Sequence, residues 1–250
     1  MDERLNIKDF KGKFRGERVW IVGSGPSIDN TPLDVLKGEY SFGMNGIGKV
    51  FDDTSWRPQF FMCATAYVDE VSYRYYVVRA VESCEMAVFC DRMAQVVIDH
   101  IPLGSYRKIV WLKCLQNSSE KNEPRDEWWN PLMVERNKIN NFGTSAFACT
   151  QIAAYLGFET MIFVGCDMGY KSFKAGEPDP NHFGDQHESG RLPMAQAIHD
   201  LENPRRFESH EIIRRRASKV GIKIYNATIG GELEVYERVD YLKMASERWA

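Results

Sequence analysis

Short, unbroken apolar runs recur along the chain, and longer stretches between them place apolar residues at helical spacing. Val19 to Val22, Tyr40 to Met44, Gln59 to Cys63, Met86 to Phe89, Ile109 to Leu112, Met161 to Val164 and Ile222 to Tyr225 read as strands. Several carry no polar interruption, as expected of strands covered on both faces. Val68 to Ser83 and Phe207 to Val220 suit helices, lacking Pro and Gly; the second sets Ile212, Ile213 and Val220 against Arg214, Arg215 and Arg216. The alternation predicts a Rossmann-like, doubly wound α/β fold around a mostly parallel sheet.

The best-defined helix is Ser145 to Leu156, apolar almost throughout. Thr144 or Ser145 is expected to cap its first amides, and Gly157 to take the left-handed conformation at its end. The N-terminus of such a helix presents free N–H groups and partial positive charge beside two hydroxyls. The Gly23 loop, Asn45, Thr144 and Asp167 all fall at the expected carboxyl ends of strands, where open parallel sheets place their ligands. Two segments break the pattern. Residues 117–141 are polar, with Trp128, Trp129 and two prolines, and residues 171–201 are rich in Gly, Pro, Asp and His. Both are candidate lids over a single nucleotide-binding domain spanning residues 1–250.

Composition narrows the classes. The 250 residues, 44% hydrophobic and 27% charged, suffice for one large domain with a sizeable core. A net charge of −3 gives no basic field, so a nucleic-acid partner gains no support. Six cysteines without a CxxC pair fit a reduced, cytoplasmic protein. No apolar stretch approaches the roughly 20 residues of a membrane span, so any contact with the inner membrane is expected to be peripheral. Oligomeric state is left open.

Gly23-Ser24-Gly25-Pro26-Ser27 is neither a full dinucleotide fingerprint nor a P-loop. It suits a tight strand-to-helix turn with Pro26 in the first helical turn, or close backbone approach to a phosphate or ribose. His182, Asp185 and His187 lie within six residues of one another, a grouping suited to a general base with an orienting carboxylate. A metal site or a solvated loop are the other readings, and no zinc pattern matches. His100, His199 and His210 lack such company and read as surface or helix-side residues. Asp52-Asp53 suits caps or loops. Asp167 ends the most apolar strand, where an ionised carboxylate needs hydrogen bonds or a ligand, or caps the next turn. Tyr170 offers a hydroxyl to a phosphate, and Phe173 a stacking face.

Val19 to Ser27, Met44-Asn45-Gly46, Thr144 to Leu156, Phe163 to Tyr170 and Val220 to Asn226 together resemble, in order and spacing, the bacterial sialyltransferases that use CMP-sialic acid. The same core is similar to a wider superfamily with archaeal 6-hydroxymethylpterin diphosphokinases and flagellin-modifying motility accessory factors. The resemblance implies metal-independent, inverting transfer of an acidic sugar from a CMP donor to a glycan acceptor, without cofactor, in polysaccharide biosynthesis. Gly23, Ser24, Gly25, Ser27, Asn45, Thr144 and Ser145 would then hold the nucleotide, with Asp167 beside them. Tyr170 would bind the donor phosphate as one of a tyrosine pair, whose second place is near Phe173. His187 or His182 would be the base, with Asp185 as its carboxylate. The alternatives are an ATP-dependent diphosphokinase with Mg²⁺ held by Asp167, Asp185 or Glu188, and a nucleotide-sugar-binding protein without turnover.

Overall fold

The computed structural model describes residues 4–64, 71–91, 99–116, 125–174, 177, 179–184 and 196–247. Nine strands form one sheet: β1 (Arg18–Val22), β2 (Ser41–Met44), β3 (Phe60–Cys63), β4 (Met86–Cys90), β5 (Ile109–Gln116), β6 (Lys138–Asn141), β7 (Thr160–Val164), β8 (Lys223–Asn226) and β9 (Glu237–Arg238). Their order is β6-β5-β4-β3-β2-β1-β7-β8-β9, and every pairing is parallel. Among the described residues four α-helices accompany them: α1 (Val71–Ser83), α2 (Ser145–Leu156), α3 (Gln196–Lys219) and α4 (Tyr241–Ser246). The expected α/β class is thus observed.

The apolar runs are unbroken because alternate residues enter two different cores. Val19 and Ile21 of β1 join Phe147 and Ile152 of α2 on one side of the sheet. Trp20 and Val22 point the other way, to Ile47, Val81 and Met244. With side chains alternating across a strand and both faces buried, the strand interiors read as unbroken apolar runs, and the buried polar residues Arg18, Ser41 and Thr160 each stand first in their strand. Helix α2 is buried on nearly every side, from Ala146 to Ala153 without a break. It ends as expected: Gly157, at φ 106°, returns its N–H to the Ala153 and Ala154 carbonyls.

Three elements depart from the expectation. Strand β6 lies within the aperiodic 117–141 segment, and of its own four residues Ile139 and Asn140 are buried. Asn140 donates to the Trp128 carbonyl and accepts at its own carbonyl from Gln151 of α2, so polar contacts replace an apolar pattern. In the same segment Trp129 is buried, its indole N–H donating to Thr150 of α2 at 2.9 Å. Helix α3 starts eleven residues before the expected Phe207 and runs through Pro204. Strand β9 is two residues long, too short for periodicity to show.

Candidate functional site

The direction of winding changes between β1 and β7, because β2 to β6 lie on one side of β1 and β7 to β9 on the other. A cleft opens there, at the strands' carboxyl ends, where such sheets bind ligands. Gly23, Ser24, Gly25, Asn45, Thr144, Ser145, Asp167 and Tyr170 line it, along with Cys166, Asn181 and His210.

The floor consists of two loops that clasp each other. Gly23 N–H donates to Val164 and Gly25 N–H to Gly165, at 2.8 and 2.9 Å. A Cβ on Gly23 would collide with the Gly165 carbonyl, and one on Gly25 with the Asp167 carboxylate. Packing of one loop on the other therefore accounts for both glycines. Ser27 lies below the cleft rather than in its lining: its hydroxyl and N–H donate to the two Asp167 oxygens at 2.8 and 3.1 Å. Burial raises the Asp167 pKa, and the two Ser27 hydrogen bonds, the nearby backbone and the charge of Arg238 oppose it. Beyond the clasp the backbone is strained, with Met168 at φ 63°.

The cleft's wall is the N-terminus of α2. No side chain caps it, contrary to expectation. The Thr144 hydroxyl is buried and makes no hydrogen bond among the described residues. The Ser145 hydroxyl pairs instead with Asn45 at 3.3 Å. Asn45 itself adopts φ 53° directly after β2. Helix amides, an orphaned hydroxyl and a polar pair thus converge on one spot.

A second cluster borders the cleft at Tyr170. His182 Nδ1 lies 2.8 Å from Asp179, whose side chain is 3% exposed, and the His182 ring meets the edge of Tyr170 at 5.8 Å. Residues 185–195 lie outside the described residues, and with them Asp185, His187 and Glu188. Helix α3 holds Tyr170 from one face. His199 stacks on its ring at 6.3 Å, Asn203 donates to its carbonyl, and the Arg206 guanidinium lies 4.3 Å from the ring centre. His199 and His210 are buried rather than surface residues. Burial, then the charge of Arg206, lowers the His199 pKa, and burial alone brings His210 down to about 3.

Asp179, His199, Asn203, Arg206 and His210 were not legible as a group. Positions 199, 203, 206 and 210 do follow a helical stripe, but Pro204 masks the helix that carries them. Elsewhere, a hollow of about 430 Å³ lined by Asp29, Asp34 and Asp52 has these carboxylates engaged, by Gly184 N–H, Ser55 and Arg79 respectively. Asp52 is therefore an ion-pair residue. The six cysteines are free thiols, and no described helix is long and apolar enough to cross a membrane.

Fold and cleft define a Rossmann-like α/β protein with a cleft at the topological switch point. The chain belongs to the MptE-like family, described as 6-hydroxymethylpterin diphosphokinase MptE-like, whose model matches residues 1–173. Among solved structures it is similar to the MAf glycosyltransferase of Magnetospirillum magneticum AMB-1, with a TM-score of 0.50 and 15% identity, over 97% of this chain and 38% of that one. The chain thus spans well under half the length of that relative. It is also similar, at a TM-score of 0.45 and 12% identity, to the sialyltransferase CstII of Campylobacter jejuni in complex with CMP-3FNeuAc, over 84% of this chain and 79% of that one. A CST-II complex with trisaccharide acceptor and CMP gives a TM-score of 0.45 at 10% identity, over 89% and 86% of the two chains. No curated protein matches the chain in sequence.

Proposed function

We propose that the cleft binds a nucleotide-activated donor and that the protein is a glycosyltransferase, moving an acidic sugar from a CMP-linked donor to a glycan hydroxyl without a metal. The observation that carries this reading is the uncapped N-terminus of α2 with the Thr144 hydroxyl orphaned beside it. Free amides and an unpaired hydroxyl in a concave site suit a phosphate, whose oxygens accept from both. His182 supplies the base. Asp179 engages Nδ1 and so orients the ring, and Nε2 takes the acceptor hydroxyl's proton. The acceptor oxygen then bonds to the anomeric carbon as the bond from that carbon to the donor phosphate breaks. The departing phosphate keeps the electron pair, and the α2 amides with Tyr170 stabilise its charge. His187, with Asp185, is the rival base on sequence grounds alone.

The family description favours one other reading, pyrophosphoryl transfer from ATP. That reaction needs Mg²⁺ between phosphates. Asp167, each of whose carboxylate oxygens already accepts one hydrogen bond from Ser27, keeps a lone pair on each for such an ion. Asp185 and Glu188 are the other candidate ligands.

Calorimetric titration with CMP and with ATP, each with and without Mg²⁺, separates the two. The expected result is CMP binding indifferent to metal. ATP binding that requires Mg²⁺, with CMP silent, overturns the glycosyltransferase reading. Replacing His182 by Ala is expected to cut turnover by about 10²- to 10⁴-fold while leaving CMP affinity within a factor of two or so.

A further inference from the structure

His210 sits at the bottom of the cleft with 1% of its surface exposed, between the Phe163 ring at 5.4 Å and the Tyr236 ring at 5.6 Å. Its Nδ1 lies 3.0 Å from the Tyr236 hydroxyl, which is also 3.2 Å from the His210 carbonyl oxygen. A phenol has one proton to give. If Tyr236 donates to Nδ1, the contact with the carbonyl joins two acceptors and no hydrogen bond forms there. If Nδ1–H donates to the Tyr236 oxygen, the phenol proton is free for the carbonyl, and both contacts become hydrogen bonds. The second arrangement makes hydrogen bonds of both contacts, and it leaves Nε2 as a bare lone pair.

We infer that His210 presents an unprotonated Nε2 to the cleft and there accepts a hydrogen bond from a neutral donor group on the ligand, a hydroxyl or an exocyclic amine of a nucleoside. The inference about the ligand rests on the reading of the cleft as a nucleotide site. A bare lone pair repels phosphate and carboxylate oxygens, so the anionic part of the ligand goes to the α2 amides and the uncharged part to His210. Burial keeps the imidazole neutral throughout the physiological range, with its pKa down at about 3. Tyr236, its own ionisation pushed up by burial, is a positioning residue that sets the tautomer.

The tautomer is testable with no ligand present. In ¹⁵N-histidine spectra of the full chain, with His210→Asn supplying the assignment, His210 is expected as the Nδ1–H tautomer with resonances constant from pH 5 to pH 8. An Nε2–H tautomer, or a titration in that window, overturns the inference. Tyr236→Phe is expected to shift the His210 population toward Nε2–H, a change that loss of packing alone does not produce.

The ligand arm uses His210→Asn, whose amide reaches only as far as Nδ1 and so keeps the Tyr236 contact without an Nε2 equivalent. CMP or ATP, whichever the wild type binds, is expected to lose about three- to tenfold in affinity. His210→Gln, with an amide near the Nε2 position, is expected to recover part of it. Equal affinities of His210→Asn for CMP and 2′-deoxy-CMP, where wild type prefers CMP, assign the donor to the ribose hydroxyl. Loss of preference for CMP over UMP assigns it to the base amine. Unchanged affinity in His210→Asn overturns the inference. Should wild type bind neither nucleotide, the glycosyltransferase reading fails and the tautomer alone decides the state of His210.

Discussion

At the scale of single residues, Ser27 and Asp167 show how far a sequence motif can mislead about its own purpose. The run Gly23-Ser24-Gly25-Pro26-Ser27 reads as a ligand cradle, yet its last hydroxyl faces a carboxylate in the loop after β7, 140 residues away. Nothing local to either segment announces that pairing. Replacing Ser27 by Ala removes one of two donors to a mostly buried carboxylate and is expected to destabilise the protein by about 1–3 kcal/mol at pH 7 in urea denaturation. The pH dependence has a definite sign. Asp167 has its pKa raised in the folded state, so the stability it contributes is present below its unfolded pKa and is lost as pH rises through the folded one. Ser27 favours the ionised form, so the cost of Ser27→Ala should shrink toward pH 4. A cost that does not change with pH would mean that the Ser27 hydrogen bonds do not bear on the carboxylate's charge. His210 is the opposite case: its helical spacing from Arg206, Asn203 and His199 was available in the sequence, but not the cleft it faces.

Among the elements, α2 is the one whose sequence predicted its extent to the residue while mispredicting its cap. Thr144 and Ser145 are typical N-cap types, and the structure diverts both hydroxyls, one buried with no partner among the described residues and one paired with Asn45. A cap is worth about 0.5–2 kcal/mol, so leaving it unmade is unfavourable unless something else uses the site. This separates stability from binding. Thr144→Val keeps the shape and deletes an unsatisfied oxygen, so thermal unfolding should show no loss of stability. Combined with Ser145→Ala, it should weaken nucleotide binding by about 1–3 kcal/mol by calorimetry. Unchanged affinity in the stable double variant would remove the phosphate from the α2 N-terminus. Helix α3 was half legible for a related reason. Pro204 lacks an N–H and ordinarily ends or kinks a helix, and only contacts with Tyr170 and the Gly143 turn show that this one continues past it.

For the whole molecule, the strands buried on both faces were legible because a two-sided core demands unbroken apolar runs, whereas the edges β6 and β9 were not, since backbone and polar contacts hold them. The ends of the chain are joined at β1. Arg18, 6% exposed, donates to Glu39 through Nε and Nη2 at 2.8 and 2.9 Å and to the Met244 carbonyl of α4 at 3.0 Å. Glu39 also accepts from the Trp20 indole at 3.2 Å. Glu39→Ala is expected to destabilise the whole fold by about 1.5–3 kcal/mol, measured as a shift of a single unfolding transition. A separate early transition would show instead that α4 melts alone. The clasp between the Gly23 and Gly165 loops has a kinetic consequence. The floor of the cleft is locked by its own backbone before any ligand arrives, so ligand capture need not wait for it to order, and stopped-flow binding should begin with a fast, concentration-dependent phase. Widening the clasp with Gly23→Ala would turn that rigid floor into a moving one, and the signature would be a slower association rate rather than a faster release.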